Sequence, residues 1–223
     1  MMQDGFPFQA VIFDMDGVIV DSERFYYDQL AEMYSAAGMP VAHEELCRAV
    51  GASYKDFQGN LARWFAMGGV DLSVEEAEAR YDAWAEEHPA DYAELLNPGV
   101  RETVAELRRR GVRVALASSS PMGNITHVLD VCGLTGAFEY VISGEQFHES
   151  KPNPEIYLHT LDLLGLPASV CCCVEDSVPG ITAGKGAGLT VIAKREDRFG
   201  FSQDAADFIV DSIPDVLKVE AGR

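Results

Sequence analysis

Basic residues are scarce in this chain of 223 residues. Lys and Arg total 17 against 36 Asp and Glu, giving a formal charge of −19. A nucleic-acid partner or an anionic membrane surface calls for a basic patch, so neither is expected. No apolar stretch reaches transmembrane length, and the N-terminus shows no signal-peptide pattern, which makes cytoplasm the expected compartment. Cysteine is sparse and badly spaced for chemistry. The five stand at positions 47, 132, 171, 172 and 173, with no CxxC or CxxH pair. Three of them run consecutively in Val-Cys-Cys-Cys-Val. On a strand their side chains alternate between faces, so they cannot converge on one metal and read as small buried hydrophobes. The five histidines, at 43, 88, 127, 148 and 159, show no metal or relay spacing. Internal repeats and low-complexity segments are missing too.

What is present starts with a hydrophobic content of 48%, ample for a packed interior. Residues 11–22 read Val-Ile-Phe-Asp-Met-Asp-Gly-Val-Ile-Val-Asp-Ser. An apolar run leads into two carboxylates, Asp14 and Asp16, and Gly17 then breaks the extended pattern. The run predicts a buried parallel strand, which delivers functional groups at its carboxyl end. Two acids at one strand end are costly to desolvate together, and a metal ion or a shared proton relieves that cost. Asp-Gly alone is also a common turn, so the reading needs partners elsewhere in the chain.

Those partners lie beyond Asn97-Pro98-Gly99, where strand and helix patterns alternate. Strands are predicted at 112–117, 140–142, 170–174, 189–193 and 208–210. Helices are predicted from 100 to Gly111, after Ser120 (as cap) with Pro121 in the first turn, from Pro154 to Leu164, and near Pro179. This alternation implies an α/β fold, a Rossmann-like parallel sheet flanked by helices. Residues 22–96 read as helix only, over 22–37, 42–50, 53–67, 73–86 and near Tyr92. They predict an inserted α-helical cap domain, with 1–21 and 97–223 forming the core. Residues 220–223 read as a frayed end. Gly184-Lys-Gly-Ala-Gly188 lacks the spacing of a nucleotide loop and reads as a helix terminator.

Four strand ends carry chemistry-bearing groups: Asp14 and Asp16; Ser118 with Ser119; Lys151 within Glu149-Ser-Lys-Pro-Asn-Pro; and Glu175-Asp176. In an open α/β sheet such loops converge on one crevice. Singly, each has a bland reading: a helix cap, a solvated loop lysine, a polar first turn. Together they supply acids for a divalent cation and a hydroxyl and an ammonium for an anion. An acidic chain that handles a phosphorylated substrate needs such local positive charge.

The four motifs, in this order and each at a strand end, resemble those of the haloacid dehalogenase-like superfamily. The likeness spans nearly the whole chain and is nearest to β-phosphoglucomutase-like phosphatases with a helical cap after the first strand. The resemblance implies Mg²⁺-dependent phosphoryl transfer through an aspartyl-phosphate. Asp14 resembles the nucleophile. Asp16 resembles the general acid/base, its backbone carbonyl also meeting the metal. Asp176 resembles the metal carboxylate, with Glu175 as a second ligand or its supporting group. Ser118 and Lys151 resemble the phosphate-holding pair, with Ser119 beside them. Hard oxygen ligands fit Mg²⁺, not zinc.

An acid two residues after the nucleophile implies phosphomonoester hydrolysis or phosphomutase chemistry, not dehalogenation. Gly51-Ala-Ser-Tyr-Lys-Asp56 resembles the family's specificity loop, so Tyr54 and Lys55 become candidate substrate contacts. A mutase of this subgroup carries a histidine in the first cap helix and an arginine in the specificity loop. Counting without gaps finds Tyr26 and Tyr54 there, which favours a phosphatase. The expected partner is a small phosphorylated metabolite, a sugar phosphate foremost, acted on by a monomer. A phosphomutase, and a non-catalytic binding protein, are the alternatives.

Overall fold

The computed structural model describes residues 5–52 and 54–220. By contacts the chain divides into two compact units, 1–21 with 92–223 and 22–91.

The first unit is built on six parallel strands: β1 (Ala10–Phe13), β2 (Arg113–Ser118), β3 (Tyr140–Ser143), β4 (Cys171–Glu175), β5 (Thr190–Lys194) and β6 (Phe208–Val210). Their order is β3-β2-β1-β4-β5-β6. All five pairings are parallel. β1 and β4 are buried along their whole length, which is why they read as continuous apolar runs and not as alternating ones. Val-Cys-Cys-Cys-Val behaves as its pattern predicts. Cys171 and Cys173 join Ala10, Ile12, Ala115 and Ala117 in one apolar cluster on one face of the sheet, and Cys172 lies outside that cluster. No disulfide joins the cysteines of the described residues.

The strand order reverses direction at β1, where the chain first builds toward β3 and later, through β4, toward β6. At such a switch point the flanking connections diverge and leave a crevice at the carboxyl ends of the two central strands. Phe13 lies opposite Val174, so Asp14 and Glu175 emerge side by side.

In chain order the helices are α1 (Ser22–Ala36), α2 (His43–Leu46), α3 (Tyr54–Met67), α4 (Val74–Glu87), α5 (Tyr92–Leu95), α6 (Val100–Arg109), α7 (Met122–Val131), α8 (Glu155–Leu164) and α9 (Val178–Gly186). α1 to α4 form the second unit. Its core gathers Leu30, Met33, Tyr34, Leu46, Leu61, Trp64, Phe65 and Ala77. α4 starts with a reciprocal cap: the Glu76 amide donates to Ser73 Oγ at 3.2 Å, and the Ser73 amide donates to Glu76 Oε2 at 2.9 Å. The pattern Ser-x-x-Glu before an amphipathic run predicts this arrangement.

Two local expectations differ from what the chain does. α5 was expected with the inserted helices but groups with the sheet. The Asp21 amide donates to the Leu95 carbonyl at 2.8 Å, Val20 bridges Leu96, and the Tyr92 hydroxyl donates to Asn124 at 3.1 Å. The division therefore falls at 91/92 and not at 96/97. The helix after β2 is capped by Pro121, not Ser120. Ser120 is drawn elsewhere: its hydroxyl donates to Asp16 and its carbonyl accepts from Ser143 Oγ, both at 2.7 Å. The first residue predicted for the 53–67 helix, Ser53, and the frayed end beyond Glu220 lie outside the described residues.

Candidate active site

The site is assembled from the carboxyl ends of β1, β2 and β4 and the loop before α8. Asp14 follows β1, and its amide donates to the Val174 carbonyl at 3.0 Å, which extends the ladder by one step. Gly17 then turns the chain with φ of +76°, and a Cβ there would overlap the Asp176 carboxylate. Both constraints demand glycine. Asn97 holds this turn from behind. Its side-chain amide donates to the Val18 carbonyl at 2.9 Å, and its own amide donates to the Ile19 carbonyl at 2.9 Å.

Lys151 is the centre of the arrangement. Its ammonium donates to Asp14 Oδ1 at 2.6 Å, to Glu175 Oε1 at 2.7 Å and to the Ala117 carbonyl at 3.0 Å. It is buried, as are Asp14, Glu175 and Asp176. Three acceptors match the three protons of the ammonium. A buried cation left without them would be strongly destabilising. Tyr157, on α8, donates its hydroxyl to the same Glu175 oxygen and lies below the ammonium, with Nζ 5.1 Å from the ring centroid.

Oxygen atoms of Asp14, Glu175 and Asp176 lie within 4.8 Å of one another. This is the one group of three or more potential ligands among the described residues. Burial pushes the Asp14 carboxyl up to about 8; Lys151 opposes the rise, and the Glu175 and Asp16 carboxylates add to it. For Lys151, burial acts downward, but Asp14 and Glu175 outweigh it, so the ammonium stays charged. Burial is the largest part of the upward pull on Asp14, and a divalent cation beside the carboxylate would oppose it.

The residues fit such a cation. Glu175 Oε2 is buried and has no hydrogen-bond partner among the described residues. All the donors are carboxylate oxygens, the set preferred by a hard ion such as Mg²⁺. Gly180, on α9, leaves room for the Glu175 carboxylate, because a Cβ at that position would overlap it.

The remaining predicted residues distribute as follows. Asp16 is not in the carboxylate cluster, and its Oδ2 accepts from Ser120 Oγ at 2.7 Å. Ser118, the last residue of β2, is fully buried, and its hydroxyl accepts from the Ser120 amide at 3.0 Å. Ser119 Oγ accepts from Ser150 Oγ at 2.9 Å. Both serine hydroxyls therefore keep a proton to donate. In the helical unit Tyr54 is exposed and donates its hydroxyl to Glu78. Lys55 is exposed in the first turn of α3. In the sequence Tyr157 has no assigned role, and Ser120 is marked only as a helix cap and Asn97 only as part of a breaker. Asn97 carried a signal, since it sits in the breaker Asn-Pro-Gly, but its partners were not visible there.

A protein-family model for haloacid dehalogenase-like hydrolases matches residues 8–188. The chain belongs to the haloacid dehalogenase-like hydrolases. Among its relatives is the phosphorylated carbohydrates phosphatase of Thermotoga maritima, 32% identical over 183 residues, covering 81% of this chain and 82% of that one. Hexitol phosphatase B of Escherichia coli K12 is 34% identical over 189 residues, covering 82% of each. β-Phosphoglucomutase from Clostridium difficile shares the fold, with a TM-score of 0.71 at 23% identity over 92% of each chain. The homologues with phosphatase names place the chain among phosphoric monoester hydrolases. No helix of the described residues is long and apolar enough to cross a membrane.

Proposed function

We propose that the protein is a Mg²⁺-dependent phosphatase of small phosphorylated metabolites, with sugar phosphates as its substrate class, acting through an aspartyl-phosphate on Asp14. The observation that carries the proposal is the buried Lys151 ammonium bridging Asp14 and Glu175 beside Asp176. It gathers in one place a nucleophile, a cation for phosphoryl oxygens and acids for a metal. The sugar-phosphate class rests on the names of the relatives that act on phosphorylated carbohydrates and hexitols.

In the first half-reaction an Asp14 carboxylate oxygen attacks phosphorus and the ester P–O bond breaks. The Asp16 carboxyl gives its proton to the departing alkoxide. In the second half Asp16 takes a proton from water, and the water oxygen attacks the phosphorus of the acyl phosphate. The P–O bond to Asp14 breaks, which releases inorganic phosphate and restores the carboxylate. Lys151 balances charge on the phosphoryl oxygens in a buried setting where such stabilisation is strong. Ser118 and Ser119 donate their remaining hydroxyl protons to those oxygens. Asp14, Asp176 and Glu175, with the Asp16 backbone carbonyl, would hold Mg²⁺, which would supply the charge neutralisation that lets two anions meet.

In this reading the sheet unit is the phosphotransfer core and the helical segment is the cap domain. Lys55 is the cap's candidate contact to the leaving group. Tyr54, whose hydroxyl already serves Glu78, is the weaker one. The test is phosphate release from a panel of sugar phosphates, nucleoside monophosphates and other metabolite phosphates, with and without Mg²⁺. Release should require Mg²⁺ and vanish in Asp14→Asn. Interconversion of hexose 1- and 6-phosphates without release would make the chain a mutase. Absence of both would make it a binding protein.

A further inference from the structure

Gln203 lies outside every motif discussed above, in the segment between β5 and β6. It is only 6% exposed, although a glutamine side chain is usually found in solvent. Three of the four hydrogen-bonding positions of its carboxamide are used. Nε2 donates to the Asp176 carbonyl at 2.5 Å and to the Lys194 carbonyl at 2.8 Å. Oε1 accepts from the Glu196 amide at 3.0 Å. The Glu196 contact fixes which end of the carboxamide is nitrogen, because a flipped amide would face an N–H with an NH₂ group.

Strand register explains what this amide does. The β4–β5 ladder ends with Glu175 opposite Ala193. The next residues, Asp176 and Lys194, lie beyond that ladder, although Lys194 still pairs with Val210 on its other side. The Gln203 carboxamide sits between the two and joins them, extending the sheet by one side-chain step. The bond from Gln203 fixes the direction of the buried Asp176 carbonyl and so holds that peptide in one orientation. The orientation of that peptide directs the Asp176 side chain toward Asp14 and Glu175. Beyond Gln203 the hold continues outward. The Glu196 carboxylate is gripped by Arg198, whose guanidinium also takes both oxygens of Asp21 at 2.9 and 2.6 Å. Glu196 is thereby fixed in turn, and its amide cannot drift from Gln203.

We propose that Gln203 is a positioning residue for the divalent-cation site, aiming the Asp176 carboxylate by holding its peptide. The inference rests on the reading of Asp14, Glu175 and Asp176 as that site. Partners behind a metal's direct ligands typically change metal affinity about 10- to 100-fold when removed. The expected loss here is about 10-fold, because Gln203 acts through the backbone and not on the carboxylate itself.

The test is calorimetric titration of the substrate-free protein with Mg²⁺, and with Mn²⁺ as a tighter probe. The variants are Gln203→Met, which keeps the volume and removes the bonds, and Gln203→Glu, which keeps the shape and turns both donated bonds into repulsions. Asp176→Asn serves as the site control. A misfolded fraction lowers the number of sites per chain, whereas lost positioning weakens each site at unchanged stoichiometry. If Gln203→Met fails to fold, Gln203→Glu carries the comparison. Weakening of about 10-fold with one site per folded chain supports the proposal. Variants that bind as tightly as wild type, while Asp176→Asn binds poorly, overturn it and leave the metal site standing. A wild-type chain that binds neither ion overturns the metal site itself, and the role of Gln203 with it.

Discussion

Gly180→Ala sets two effects of opposite sign against each other. Gly180 lies within α9, and in an exposed helix interior replacing Gly by Ala stabilises by about 1 kcal/mol. Here the new Cβ would overlap the Glu175 carboxylate. That carboxylate cannot step aside freely, because it is fully buried and bound by Lys151 and Tyr157. Displacing it weakens two hydrogen bonds to a charged group, each worth about 1.5–3 kcal/mol. The helix gain recovers about 1 kcal/mol, so a net loss of about 2–5 kcal/mol is expected. Urea denaturation in chelator reads this as a lower midpoint at unchanged slope. The same substitution placed in a Glu175→Ser background meets no carboxylate and should be neutral or stabilising. The coupling between the two sites should therefore reach about 2 kcal/mol or more, well above the scatter of independent sites. A Gly180→Ala chain as stable as wild type would refute the packing described around Glu175.

Three further outcomes follow from the same geometry. Lys151→Met removes the one buried cation among the described residues and leaves two carboxylates facing each other; stability in chelator should fall by about 3–5 kcal/mol, Mg²⁺ should restore more to the variant than it adds to wild type, and a loss below about 1 kcal/mol would contradict the charge balance. Burial pushes the Cys171 thiol up to about 11 and raises Cys172 and Cys173 well above the usual thiol range, while burial and Glu44 raise Cys47. A raised thiol pKa means less thiolate at pH 8, so the native chain should label at Cys47 alone, slowly, with a rate still climbing through pH 9, and all five thiols should react after denaturation; fast native labelling at Cys171, Cys172 or Cys173 would refute the burial of β4. Lys55→Ala should raise KM for the best substrate of the panel and leave poor substrates unaffected, and uniform kinetics across the panel would remove Lys55 from recognition.

Much of this was legible in the sequence because the decisive residues stand next to their strands. Asp14, Ser118 and Glu175 each end an apolar run, and a parallel sheet brings such ends together whatever the loops do. The strand order was not legible in the same way, because right-handed βαβ connections narrow the possible orders without choosing one. What stayed hidden are bonds between distant residues. Ser120 looked like a helix cap because serine before proline usually is one, yet its hydroxyl serves Asp16, 104 positions earlier. Tyr157 was one apolar position among several on α8, and nothing local marks a hydroxyl that will meet Glu175. Gln203 sat in an unpatterned loop. α5 was misassigned for the same reason: its composition resembles the inserted helices, and its partners, Asp21 and Asn124, lie far off in sequence. Periodicity reports which face is buried, not which polar atom it will meet there.

The central claim is that Asp14 becomes phosphorylated. The most direct measurement mixes the enzyme, Mg²⁺ and the best substrate of the panel, quenches in acid within the first turnovers, and maps phosphate by peptide mass spectrometry. The account predicts an acyl phosphate on the peptide containing Asp14, lost with chelator and in Asp14→Asn. Steady turnover with an unmodified Asp14, undiminished in Asp14→Asn, would contradict it.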